Sequence, residues 1–308
     1  MIIKPARLRM GDTVGVIAPA SPPNQENLKR SFTFLEKELG LKIKLGQSLF
    51  EQYGYLAGPN ENRLKDLHMM FADKEVKAII CAGGGYGTAR IADDIDYKMI
   101  AENPKVFWGY SDITFLHTAI RQQTGLVTFH GPMLASDIGS VQEDQTLSKT
   151  FMKQIMEPEG RVYPKTLGNL ETIVSGVAEG DIVGGNLCLL TSTIGTAFEI
   201  DTKDKIILIE DVHEEPRSID RMLNQLYMAG KLQQAAGFVI GNFKNCKPER
   251  EQSLSLDEVL DYYFKLIGKP AVKGFMIGHC TPHFSLPLGV PAKLNAETQD
   301  LTIEHGVL

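Results

Sequence analysis

The strongest constraint on the fold is an alternation in the first half of the chain. A short apolar run, a turn rich in glycine or proline and a segment of helical periodicity follow one another repeatedly. "TVGVIAPAS" (13–21) runs as a strand into a proline-containing turn, and "NQENLKRSFTFLEKELG" (24–40) follows as an amphipathic helix closed by Gly40. "LKIKLGQ" reads as a second strand, "ENRLKDLHMMFAD" as a helix and "VKAIICAGGG" as a strand ending in glycines. "KVFWG" opens a further strand–helix unit, and "LVTFHGP" (126–132) is another strand. Short apolar strands separated by helices indicate a parallel sheet covered on both faces.

The second half changes character. From about Gln142 to Gly168 the chain is polar and carries Pro158, Gly160 and Pro164, which predicts a linker. After it come the apolar runs "ETIVSGVAEGDIVGGNLCLL", "DKIILIEDV" and "AAGFVIGNF", then "AKLNAETQDLTIEHGVL", which reads as a hairpin with "NAETQD" at its turn. Helices are expected from about Pro216 to Gly230 and from Leu256 to Ile267. The expectation is an α/β chain: an N-terminal parallel-sheet α/β domain over 1–145, a linker over 146–168 and a smaller, β-rich α/β C-terminal domain over 169–308. A length of 308 residues accommodates two cores.

Composition removes several function classes. Hydrophobic residues at 43% and charged residues at 23% describe an ordinary globular protein. A net charge of -6 argues against nucleic acid as a partner, since phosphate neutralisation needs an excess of Lys and Arg. The opening "MIIKPARLRMGDTVGVIAPAS" is broken by Gly11 and Asp12, so it predicts neither a signal peptide nor a membrane span. Cys81, Cys188, Cys246 and Cys280 form no CxxC pair, and unbridged thiols suit a reducing cytosol.

The chemistry centres on "NPKVFWGYSDITFLHTAIRQQTG" (103–125), where a buried strand turns into a helix spanning about Asp112 to Gln123. Ser111 sits at the corner. A serine there either N-caps the helix or serves as a nucleophile beside the unpaired N–H groups of the helix start, donors suited to an oxyanion. "GYSDI" matches the G-x-S-x-G elbow only in part, because Ile113 replaces the second glycine. Upstream, "CAGGGYGTARI" (81–91) fits neither a P-loop nor a dinucleotide fingerprint, but its backbone is free to approach a ligand closely. Of seven histidines, His279 in "GFMIGHCTPHFSLPLG" follows an apolar strand and a glycine. His283, four residues on, lies in the same loop-like stretch, which argues against zinc. Glu210 and Asp211 come after the apolar strand "IILI", at the rim of a sheet where sites form, unless they simply terminate the strand. Serine, acid and histidine, separated by about 100 and about 70 residues, make a chemically complete set that must meet across domains.

Taken together, "LRMGDTVGVIAPAS", "GGYGTARI", "GYSDITFLH", "HGPM", "GGNLCLLTSTIGT", "ILIEDVHEEPRSIDRMLNQL" and "IGHCTPHFSLPLGVPAKLN" resemble the LD-carboxypeptidase (muramoyltetrapeptide carboxypeptidase) family. Distant members of that family confer immunity to microcin C. The resemblance implies a cytoplasmic, dimeric serine peptidase with no metal or other cofactor, releasing terminal D-alanine from murein tetrapeptides during peptidoglycan recycling. It puts the nucleophile on Ser111, the acid on Glu210 and the base on His279 rather than His283. The oxyanion hole falls on the N–H groups of Asp112 and Gly85. Tyr86, Arg90 and Arg217 are candidates for substrate contact, Arg221 being assigned instead to pairing within its helix. Gly83 stands where many relatives carry arginine. The "GGYG" loop favours the recycling branch over the microcin branch. A peptidyl-adenylate hydrolase, a non-catalytic muropeptide-binding protein and a nucleotide-dependent enzyme using the glycine loop are the competing readings.

Overall fold

The computed structural model describes residues 2–308. The strands in chain order are β1 (Thr13–Ile17), β2 (Lys42–Leu45), β3 (Val76–Cys81), β4 (Val106–Gly109), β5 (Thr128–His130), β6 (Arg161–Val162) and β7 (Glu171–Val174). They continue with β8 (Val177–Asn186), β9 (Ile206–Val212), β10 (Gly237–Lys244), β11 (Ala271–Lys273), β12 (Leu286–Leu288), β13 (Val290–Asn295) and β14 (Asp300–Ile303). The chain divides into two compact units. Among the described residues, one comprises 2–159, 281–289 and 305–308, and the other 160–280 and 290–304.

The first unit holds a six-stranded sheet in the order β12-β5-β4-β3-β1-β2. Its members β1 to β5 pair in parallel, and β12 joins β5 antiparallel. β3 and β4 are almost wholly buried, as their unbroken apolar runs require. Ile17, Ile79 and Phe107 pack with Leu67, Phe71, Ile113, Leu116 and Ile120 from the adjoining helices.

The second unit holds a mixed eight-stranded sheet in the order β6-β14-β13-β8-β9-β10-β11-β7. β8 to β11 form a parallel centre, flanked by antiparallel neighbours. The expected closing hairpin is β13–β14. Helices Pro216–Met228 and Leu256–Ile267 lay Ile219, Leu223, Val259, Leu260 and Phe264 against Ile207, Ile209 and Phe238.

The stretch expected as a linker is not uniformly connecting chain. It carries helix Thr146–Met152, a 3-10 turn over Lys153–Ile155 and β6. Met152 and Ile155 are buried, so the polar composition concealed an apolar face. The final segments also divide between the units, residues 281–289 and 305–308 returning to the first. Short antiparallel pairing makes that return: Leu286 lies opposite His130.

Candidate active site

In an open α/β sheet a crevice forms beyond the carboxyl ends of the strands where the strand order reverses. Here that point lies between β1 and β3, since β2 flanks β1 on its other side. The segments leaving these two strands are tied together. Ala82 N–H donates to the Ile17 carbonyl at 2.8 Å, Ser21 N–H to the Gly84 carbonyl at 3.1 Å, and Tyr86 N–H to Ser21 Oγ at 3.2 Å. Gly85 has φ +109, and a Cβ there would lie 2.3 Å from Ser21 Oγ, so glycine is required on both counts. Among the described residues the Gly85 N–H has no acceptor.

Ser111 follows β4 on the same edge of the sheet. Tyr110 is extended and Ser111 turns abruptly to φ +62, a left-handed conformation that costs a non-glycine residue about 1–3 kcal/mol. A 3-10 turn (Ser111–Ile113) then leads into helix Thr114–Thr124, closed by Gly125 at φ +78. The helix therefore starts two residues later than its periodicity suggested. Tyr110 and Ile113 hold the N-cap positions of the turn and the helix, so Ser111 caps neither. The turn's first backbone bond runs from Ile113 N–H to the Tyr110 carbonyl, which leaves the Asp112 N–H ahead of the ladder. Ile113, which breaks the elbow motif, is fully buried, and a Cβ at Gly109 would meet its side chain at 2.9 Å. Gly84 lies against the serine: a Cβ there would come 3.0 Å from Ser111 Cβ and 3.1 Å from its Oγ.

Buried polar residues hold both segments. Asp112 Oδ2 accepts from Thr88 N–H at 2.9 Å, and the Asp112 carbonyl from Thr88 Oγ1 at 2.6 Å. Burial raises the Asp112 carboxyl above the usual range, against the pull of the Thr88 bonds and the Arg63 charge. Arg63, fully buried on helix Asn60–Ala72, donates to the carbonyls of Pro19 (2.5 Å) and Gly87 (2.9 Å), joining the loops after β1 and β3. His283 belongs to this unit, where its ring meets Tyr110 edge-on at 4.8 Å and lies 5.3 Å from His130. Tyr110 Oη in turn donates to Asp137 Oδ1 at 3.0 Å.

The second unit carries the acid and the histidine. Glu210 and Asp211 lie within β9 rather than after it, and the strand's alternation sends them to opposite faces. Glu210 is fully buried; its Oε2 lies 2.7 Å from His279 Nδ1, while Oε1 has no hydrogen-bond partner. A carboxylate oxygen accepts at that distance, so this contact suits a proton on His279 Nδ1. The apolar strand expected before His279 ends at Lys273, and Phe275 and Ile277 sit buried in irregular chain. A bulge makes room for them. The β9–β10 register slips between Ile240 and Phe243; Phe275 N–H then donates to the Ile240 carbonyl at 3.2 Å and Asn242 N–H to the Ile277 carbonyl at 2.9 Å. Gly278 follows at φ +108 and passes directly over Glu210.

Asp211 accepts from Asn186 Nδ2 (3.0 Å), Cys188 N–H (2.9 Å) and Val212 N–H (2.8 Å), which fixes the start of helix Leu187–Ser192 beside the acid. Burial, then the neighbouring Glu210 charge, raises its pKa to about 7. Of the remaining candidates, Tyr86 and Arg90 are exposed on the first unit, Tyr86 edge-on to Tyr55 at 5.4 Å. Arg217, on the second, pairs with Glu215 at 2.9 Å, whereas among the described residues Arg90 has no ion pair. Gly83 is buried, and a Cβ there would meet only Ser136 Oγ, at 3.1 Å. Sequence reasoning missed Ser21, Arg63 and Thr88. Only the position of Ser21, just past an apolar strand, carried a signal; nothing in a helical "ENRLKD" marks Arg63 as a buried clamp.

Comparison with known proteins shows the family of the chain. Residues 14–131 match the LD-carboxypeptidase N-terminal domain, and residues 179–294 the LD-carboxypeptidase C-terminal domain. The chain is 56% identical to a probable murein peptide carboxypeptidase of Bacillus subtilis, with 99% of this chain and 95% of the relative covered. It is 30% identical to the murein tetrapeptide carboxypeptidase of Pseudomonas aeruginosa, covering 91% of this chain and 92% of that protein. Among solved structures, the wild-type apo microcin C7 self-immunity protein MccF superposes with a TM-score of 0.92 at 23% identity, over 99% of this chain and all of that one, a likeness of fold.

Proposed function

From the premise that the chain belongs to the LD-carboxypeptidase family of serine peptidases, we propose that it hydrolyses the bond between the L-centre of the diamino acid and terminal D-alanine in murein tetrapeptides, through Ser111, His279 and Glu210. The carrying observation is the strained Ser111 corner, φ +62, set against a glycine loop whose Gly85 N–H is unpaired. Strain of this kind persists where the surroundings over-determine it.

In this reading His279 Nε2 takes the Ser111 proton as Oγ attacks the amide carbon. Glu210 Oε2 keeps the imidazole in the Nδ1–H tautomer and stabilises the cation formed. The N–H groups of Asp112 and Gly85 receive the tetrahedral oxyanion, each donor contributing about 3 kcal/mol to the transition state. His279 returns the proton to the departing D-alanine amine, and water then releases the tripeptide from the acyl-enzyme by the same steps in reverse order. None of these steps requires a metal. Arg90, exposed and without an ion pair, is the better candidate than Arg217 for the substrate's free carboxylate, with Tyr86 beside it. The family resemblance further leads us to propose a cytoplasmic homodimer acting in peptidoglycan recycling; no helix among the described residues is long and apolar enough to cross a membrane.

The test is incubation of wild type and Ser111→Ala, without added metal, with an L-Ala-γ-D-Glu-diamino acid-D-Ala tetrapeptide, following free D-alanine by mass spectrometry. Release by wild type and its loss in the variant is the expected result. Equal release by the two proteins overturns the nucleophile assignment, and no release from lysine or diaminopimelate peptides overturns the substrate.

A further inference from the structure

On the first unit, a cavity of about 500 Å³ opens at the amino ends of the strands, between the residues that precede β1, β3 and β4. Ser111 and the glycine loop follow the carboxyl ends of those strands, so this cavity lies at the opposite edge of the sheet. Arg7, Arg9, Lys74, Lys77 and Lys105 line it together with the side chain of Asp12 and with Leu308, whose main-chain oxygen accepts from Arg7 N–H at 3.1 Å. Such a concentration of positive charge is unexpected in a chain whose net charge is -6. Elsewhere the lysines are commonly paired, as in Lys165–Asp300, Lys231–Glu199 and Lys293–Glu179. In the cavity, among the described residues, the side chains of Arg7, Arg9 and Lys74 have no carboxylate partner, and Asp12 Oδ2 accepts from Arg9 N–H at 2.8 Å. Lys77 Nζ donates only to the Lys74 carbonyl, at 2.6 Å.

Lys105 strengthens the case. It is buried, and its ammonium is held by the carbonyls of Met70 (2.8 Å) and Asp73 rather than by a carboxylate in direct contact. Burial lowers its pKa to about 8, against the attraction of Asp73 and with the Lys77 and Lys44 charges adding to the fall. A cation in that position gains from an anion placed in the adjoining cavity. The volume falls in the range of small-molecule sites. No aromatic side chain lines it, so recognition would rest on charge and on guanidinium forks rather than on ring stacking.

We infer that this cavity is a binding site for a small anion bearing two or more phosphate groups, separate from the candidate active site. Two arginines supply bidentate donors and three lysines supply point charges, a set suited to adjacent phosphates more than to a single carboxylate. The site does not depend on the peptidase reading.

The test uses the full chain and inorganic pyrophosphate, titrated calorimetrically at constant ionic strength, with sodium chloride and sulfate as controls. Wild type and Ser111→Ala should bind pyrophosphate alike, with affinity at least tenfold above sulfate. Arg7→Gln/Arg9→Gln should weaken binding at least tenfold without changing the far-ultraviolet spectrum; both side chains are exposed. Lys77→Gln, also exposed, provides a second variant and should weaken binding severalfold. The inference is overturned if pyrophosphate does not bind, if sulfate binds equally well, or if the double variant keeps wild-type affinity. Loss of binding in Ser111→Ala with retention in the double variant would relocate the anion to the candidate active site.

Discussion

Gly278→Ala tests the geometry that joins the acid to the histidine. Gly278 has φ +108, where an L side chain costs about 1–2 kcal/mol. A Cβ there would lie 2.5 Å from Glu210 Oε2, 2.7 Å from its Cγ and 2.8 Å from its Cβ. Glu210 has no room to yield freely: it is fully buried, and Gly241 closes on it from β10, where a further Cβ would come within 3.2 Å of Glu210 Cβ. Overpacking of this kind adds about 1–3 kcal/mol, so the variant should lose about 2–5 kcal/mol in all. To reach even the 3.0 Å limit of real contacts the carboxylate or the loop must move by about 0.5 Å, across the 2.7 Å bond to His279. Displacements approaching 1 Å cost about 100-fold in rate, so kcat for D-alanine release should fall roughly 10- to 100-fold, with KM little changed. Gly268→Ala is the control. It shares a positive φ, +66, but has nothing within 4 Å of the added Cβ, so it should cost only about 1–2 kcal/mol and leave turnover intact. Urea denaturation and steady-state kinetics on both variants read the difference. If Gly278→Ala unfolds and turns over like Gly268→Ala, close packing over Glu210 does not set the acid's position and the reasoning fails.

Two further outcomes follow from the same neighbourhood. Glu210→Gln should keep the fold but lower kcat by roughly 10⁴-fold, because an amide N–H presented to Nδ1 favours the wrong imidazole tautomer; a loss below tenfold in steady-state assays refutes the assigned role. Asp211 binds its proton more tightly in the folded chain, with a pKa raised to about 7 from the ordinary aspartate range near 4, so wild-type stability should fall as pH rises from about 4 to about 7. Asp211→Asn should flatten that slope by up to about 4 kcal/mol across the window, measured as urea stability at several pH values, and an unchanged slope contradicts the burial argument.

Much of the architecture was legible because burial imposes period and composition. The unbroken apolar runs of β3, β4 and β9 mark strands covered on both faces, and helix Leu256–Ile267 begins and ends where its residues alternate between core and solvent. Helix Thr146–Met152 was missed because a seven-residue amphipathic piece inside a polar stretch presents too few turns to show a period. The strand before His279 was misread for a related reason: Phe275 and Ile277 are apolar because they are buried, and burial does not require a strand.

The sequence by itself determined the class of fold and nominated Ser111, Glu210 and His279, since each stands at a local break in pattern: a corner, an acid in an apolar run, a histidine after glycine. Tertiary structure decided what holds them. The φ of Ser111, the contact of His279 with Glu210, and the clamps supplied by Ser21, Arg63 and Thr88 all depend on segments distant in the chain meeting at strand ends. Hydrogen bonds of that kind leave no periodic trace, because a buried polar residue is set by its partner's position in space and not by its neighbours in sequence.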